Sequence, residues 1–340
     1  MKNWRLGLGL AISALFIWFA LHQVKDWSAF FASFRQIKYW VLVPTFFGYA
    51  LVMLCRAGRW HYIIRSQLKV KFSSSLIGLI ICYMANNILP LRAGEIIRSL
   101  AVSRREKLGF SPLMATVVVE RIFDTLAILI FLALTLIWLK VPEQHRELNL
   151  AIHQGGIGAL ALALALLLSL YGFYFFPKPA LKLAGAVLKP FGKRIREIGL
   201  MELEKFGQGL IILGRPFRLV MTLLLSFLVW LVNLTPIWAV GIGFGIKLSL
   251  IQTLFLLVLG AFAAAIPAAP GFWGTFHLIT QKGIAFLGVL NPEQALSFAI
   301  VLHSFYFFPT TIAGLILAWR EGYTITELER KAEEVERSSD

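Results

Sequence analysis

The sequence predicts an all-α polytopic membrane protein with about six full spans plus two re-entrant hairpins, eight apolar segments in an inverted repeat. Three observations carry this. Of the 340 residues, 58% are hydrophobic and 15% charged, and the mean hydropathy is +0.75. Apolar runs near bilayer length recur along the chain, and no interval longer than about 40 residues lacks one, so a soluble domain of ordinary size has no place. Two of the runs break at Pro and Gly. Such backbone is tolerated at membrane depth only where protein or a watery cavity covers it.

The first span is expected at 6–22. Lys2 and Arg5 precede it, and the Phe19-Ala20-Leu21-His22 end does not fit a signal-peptidase site, so it is read as uncleaved. The second runs over 40–55. The basic stretch 56–72, with Arg56, Arg59, Arg65, Lys69 and Lys71 and no acid, is then a cytoplasmic loop. The run 74–91 is too charged beyond its end to be a crossing. Arg92, Arg98, Arg104, Arg105 and Lys107 would face outward, against the positive-inside rule, so 74–111 is read as a hairpin that returns to the cytoplasmic side. Span 112–139 follows, and the balanced loop 140–153 suits the outside.

The second half repeats the order upside down. Spans 155–176 and 217–241 flank a basic cytoplasmic segment, in which 178–210 alternates lysines with apolar residues as an interfacial helix pair would. Asn233, Thr235 and Pro236 mark a kink. Segment 249–289 enters from outside and turns at Pro267–Gly271, and span 295–319 returns to the cytoplasm. The division is therefore 1–150 for one membrane repeat, 151–319 for its inverted counterpart, and 320–340 for a charged cytoplasmic tail. Eight plain spans are the competing reading.

Three groups of residues could bind a substrate. The first is Asn86, Arg92, Gly94, Glu95 and Arg98 at the first break. Gly94 and Glu95 open a short helix whose free N–H groups suit an anion, Arg92 can fork onto phosphate, and Glu95 can pair with Arg98 three residues on. The second is Glu120, Arg121 and Asp124, which fall within about 100° of one helix face. Each would cost about 2.5–3.5 kcal/mol in lipid, so they must face protein or a cavity near Arg92 or Arg98. A buried structural ion network and direct ligand binding both stay open for this trio. The third is the second break, with Pro270, Gly271, Gly274 and His277. His303 is read as a packed, hydrogen-bonded side chain and not a ligand.

A net charge of +15 raises nucleic acid as a partner, but the lysines and arginines sit in short clusters beside apolar runs, where they suit an anionic inner leaflet. Cys55 and Cys82 lie in apolar runs and make no disulfide framework or metal spacing, and no cofactor is implied. No P-loop, HExxH, GxSxG or Rossmann fingerprint occurs, so enzymatic activity is not expected and transport would be passive or ion-coupled.

Asn86-x-x-x-Pro90-x-Arg92-x-Gly94-Glu95-x-x-Arg98, Glu120-Arg121-x-x-Asp124 and Pro267-x-x-Pro270-Gly271-x-x-Gly274 resemble the transmembrane domain of lysylphosphatidylglycerol synthases, a flippase-like membrane family. With the span pattern, the resemblance covers nearly the whole chain. It implies a bacterial-type inner-membrane protein, both termini cytoplasmic, that moves an anionic or glycosylated lipid between leaflets. Arg92, Arg98 and the Gly94 helix start would hold the lipid phosphate, Glu120, Arg121 and Asp124 would line the cavity, and the second hairpin would gate the far side. With about 20 residues after the last span, the aminoacyl-transferase activity of the full synthases is expected to be absent. Phe272 stands where the family often has a second Gly, and His277 where it has an acid, which leaves the headgroup open. Two other readings stay open: a membrane transferase using a lipid-linked substrate, with Glu95 or Asp124 as its acid or base, and a non-catalytic subunit of an envelope-lipid complex. A second copy of the chain or a lipid-modifying enzyme would be the protein partners.

Overall fold

The computed structural model describes residues 3–89, 93–141, 143–193, 196–197, 199–201, 216–266, 270–324, 327 and 330. Among them are thirteen α-helices and no strand: α1 (Asn3–His22), α2 (Trp27–Arg35), α3 (Leu42–Ile64), α4 (Phe72–Ile88), α5 (Gly94–Glu106), α6 (Phe110–Trp138), α7 (Asn149–Phe175), α8 (Pro177–Val187), α9 (Pro216–Val232), α10 (Leu234–Gly243), α11 (Leu250–Ala265), α12 (Thr275–Phe286) and α13 (Pro292–Arg320). Four segments, Tyr39–Ile64, Asn149–Ser169, Pro216–Gly243 and Pro292–Arg320, are long and apolar enough to cross a bilayer. α6 adds 29 residues, about 43 Å of helix. The fold is an all-α membrane bundle, as the composition demanded.

Small residues set the closest approaches. α7 lies on α6 through Gly156, Ala159 and Ala163, while Leu160, Leu162, Leu164 and Leu168 face outward as a lipid-facing surface would. α4 and α13 meet where Gly314 sits against Met84, so close that a Cβ there would lie 2.2 Å from the Met84 Cβ.

α4 and α5 form a hairpin fastened at both ends. At its base the Glu106 carboxylate accepts the Lys71 N–H (3.2 Å) and the Ser74 hydroxyl. That joins the start of α4 to the end of α5. At its tip Asn86 Oδ1 accepts the Gly94 N–H at 2.9 Å, which caps α5 from the end of α4. The second hairpin pairs α11 with α12. Ser249 and Gln252 make a capping box at its start, the Phe255 and Phe286 rings meet near the base, and Gly283 lets α12 pass Leu259. The packing partners correspond. α4 of the first hairpin packs on α13, and α11 of the second packs on α6. The two tips meet inside the bundle, where a Cβ at Gly271 would lie 3.0 Å from the Asn87 carbonyl oxygen. Gly271 has φ +71°, a conformation that suits glycine.

Three expectations are corrected. The second span does not stop at 55: α3 runs to Ile64 and carries Arg56 and Arg59 inside it, buried, so the basic loop begins only at Arg65. Carboxylates from α6 remove the cost of burying Arg59. Helix α2 was not anticipated; Asp26 caps it by accepting the Ala29 N–H, and it packs on α13. Arg98 does not pair with Glu95 but turns to Glu120. The kink falls where expected, at Asn233 between α9 and α10, and α8 is a helix within the stretch read as an interfacial helix pair. Residues 202–210 of that stretch lie outside the described set, as do Pro90, Arg92 and Pro267.

The hairpin base makes a topological prediction. A cysteine placed at Lys69 and one at Arg104 should react with an impermeant thiol reagent from the same face, and one at Glu147 from the other. Labelling of Lys69 and Arg104 from opposite faces would mean that α4 or α5 crosses the bilayer.

Candidate functional site

α3 turns Tyr49, Val52, Met53, Arg56, Arg59, Trp60 and Ile63 inward at helical spacing. Arg59, with no exposed surface, is the centre of an ion network. Its Nη2 lies 2.5 Å from Glu120 Oε1 and 3.1 Å from Asp124 Oδ2, and its Nη1 bonds Asp124 Oδ1 and the Ser226 hydroxyl (3.0 Å). Arg121 Nη2 reaches both carboxylates, at 3.1 Å and 3.2 Å. Arg98 comes from α5 to Glu120 Oε2 at 2.9 Å, with its guanidinium 4.6 Å above the Trp60 ring. Trp230 of α9 donates its indole N–H to Asp124 Oδ1 at 2.9 Å. The network thus ties α3, the first hairpin, α6 and the second half of the chain. Each carboxylate is surrounded by charged donors, the condition under which buried ions are retained.

One side of this network forms a wall of a cavity of about 370 Å³. Arg56, Arg98, Arg121, Asp124 and Glu95 line its polar end, with Asn86, Asn87, Tyr83 and Asn233. Its apolar part comes from both halves: Val52, Met53 and Ile128 from the first, and Leu256, Ala261, Phe272, Phe276, Leu302 and Phe307 from the second. The lining thus combines a group of charged side chains with a larger apolar surface.

The predicted residues divide by place. Asn86, Glu95, Arg98, Arg121 and Asp124 line the cavity. Glu120 and Gly94 sit behind the wall, Glu120 as shared counter-ion and Gly94 as the point where α5 abuts α4. The Gly94 N–H proposed for an anion is already taken by Asn86. Arg92 lies outside the described residues. Pro270, Gly271, Gly274 and His277 build the second tip without lining the cavity. The Gly271 carbonyl accepts from His303 Nε2 at 2.8 Å, as a packed histidine was expected to do, and His277 Nδ1 accepts the Gly274 N–H at 3.3 Å. His277 is therefore a helix cap. Asn87, not singled out beforehand, holds the first tip to α13 by donating to Thr311 Oγ1 at 2.8 Å and the Phe307 carbonyl at 3.2 Å.

Sequence reasoning missed Arg56, Arg59 and Trp230. The usable signal was in α3: Arg56 and Arg59 continue the inward face set by Tyr49, Val52 and Met53.

The family model described as lysylphosphatidylglycerol synthase TM region matches residues 7–314. The UPF0104 membrane protein PH1989 of Pyrococcus horikoshii is 25% identical over 289 residues, covering 79% of this chain and 84% of its own. No solved structure matches.

Proposed function

Because the chain belongs to the lysylphosphatidylglycerol synthase TM-region family, we propose that it moves phospholipids bearing a phosphate headgroup between the leaflets of the membrane it spans. The observation that carries this reading is the cavity: an arginine-lined polar end continuous with an apolar bed, placed where two hairpin tips from the two halves meet. The headgroup would occupy the Arg98 and Arg121 end while the acyl chains follow the α11–α13 side. The corresponding packing of α4 on α13 and of α11 on α6 supports two halves of opposite orientation, the arrangement in which a central site can open to either side. The basic stretches at 65–71 and 178–193 support cytoplasmic placement, with both termini on that side of a bacterial-type inner membrane.

The test is lipid exchange in proteoliposomes, read as bleaching of headgroup-labelled phosphatidylglycerol by an impermeant reductant. Ala261→Trp puts a large ring into the cavity and should stop exchange, whereas Phe262→Trp, on the 42%-exposed face of the same helix, should exchange at the wild-type rate. Equal rates for both variants, with folding verified, would remove the cavity from the transport route.

A further inference from the structure

We propose that Arg56 is the anion anchor of the cavity, the side chain that takes the phosphate of the bound lipid. This rests on the lipid reading above and names a residue within its site.

Arg56 is 6% exposed, yet among the described residues it has no carboxylate partner and no hydrogen-bond acceptor. Its guanidinium lies against two rings, 5.1 Å from the Trp230 centroid and 5.7 Å from the Tyr83 centroid. Its Nε is buried without a partner, and the side chain lines the cavity.

The two network carboxylates are committed elsewhere, and Glu95, the remaining acid on the wall, makes no ion pair with Arg56. Asp124 has about four acceptor sites, and these are taken by Arg59 twice, Trp230 and Arg121. Glu120 is shared among Arg59, Arg98 and Arg121. The wall and network together hold four arginines, Arg56, Arg59, Arg98 and Arg121, against Glu95, Glu120 and Asp124, an excess of one positive charge among the described residues. A guanidinium packed against rings at a cavity wall, with no acceptor among the described residues, lacks an anion, and phosphate matches its fork. The neighbouring Asn233 amide oxygen is also buried without a partner on the same wall, and can accept from a headgroup hydroxyl or amine. Arg59 differs at the same helical face: both of its Nη atoms bond the network's carboxylates, so it holds the fold and Arg56 holds the ligand.

The experiment is calorimetric titration of the full chain in neutral detergent with three probes: dihexanoylphosphatidylglycerol, the uncharged dihexanoylglycerol, and inorganic phosphate. Wild type is compared with Arg56→Met, Arg56→Lys and the surface control Arg104→Gln. Arg56→Met should weaken dihexanoylphosphatidylglycerol binding by about tenfold or more, with dihexanoylglycerol binding unchanged and Arg56→Lys intermediate. The ligand-free Arg56→Met protein should melt no lower than wild type, since an unpaired cation is removed and the stem's packing kept. Wild-type affinity for dihexanoylphosphatidylglycerol in Arg56→Met would overturn the assignment, and so would a lower melting temperature with unchanged affinity. The lipid reading fails separately. If wild type binds inorganic phosphate as tightly as the lipid, and Arg56→Met loses both, the anchor stands and its anion is free phosphate.

Discussion

Arg59→Met is expected to cost about 3–5 kcal/mol of stability, because it leaves Glu120 and Asp124 buried beside each other with their central cation gone. In cells the variant should fail to accumulate, and in detergent it should melt well below wild type. Arg59→Lys should recover little. A single ammonium cannot bond two carboxylates and Ser226 in the geometry that the fork provides. Arg121→Ala should cost much less, since the Arg121 side chain is 43% exposed and its pairs are shared with Arg59. The double variant Arg59→Met/Glu120→Gln should be more stable than the sum of its two single variants predicts, because each mutation removes the partner that makes the other harmful. If Arg59→Met melted with wild type, the network would be solvated and the cavity wall misplaced.

Gly94→Val is the second large effect. A Cβ at Gly94 would lie 2.2 Å from the Cys82 carbonyl oxygen and 2.5 Å from Asn86 Oδ1. The first obstruction is backbone of α4, which no rotamer change can clear. The tip must open, and opening it breaks the Asn86 cap on α5 and swings Glu95 and Arg98 off the cavity wall. Overpacking costs about 1–3 kcal/mol where side chains can yield, and here they cannot, so the loss should reach or exceed the upper end. Both melting temperature and lipid exchange should fall. Gly58→Ala in α3 is the matched control: nothing lies within 4 Å of its Cβ, and it should gain about 0.5–1 kcal/mol. Opposite signs at two glycines would tie the first effect to the hairpin contact.

Much of the architecture was legible in the chain. Apolar runs located α1, α6 and α13 to within a few residues, and α7 to within six, because burying a polar backbone in hydrocarbon leaves helix as the economical option. Pro and Gly at 90–94 and 267–271 marked both breaks. The trio Glu120, Arg121 and Asp124 announced an interior face by the cost of exposing it. Hidden from the sequence was any charge whose cost is cancelled by a distant partner. Arg59 looked like part of a loop for that reason, since a hydropathy argument weighs each arginine alone, and Arg56 beside it was read the same way. Asn86 and His277, conspicuous as candidate ligands, also hold helix starts, a use that depends on which N–H groups come within reach of each side chain.

The sequence by itself determined that this is a helical membrane protein, where its chain breaks, and that Glu120 and Asp124 must be hidden from lipid. Only the tertiary structure decided what hides them. Arg59 lies 61 residues from Glu120 and 65 from Asp124 along the chain, and Trp230 lies 106 from Asp124. Local propensity and hydropathy act over a few turns of helix, whereas an ion pair acts through space. Which cations the carboxylates would satisfy, and that Arg56 would be left over, became definite only when α3, α5, α6 and α9 packed around one point.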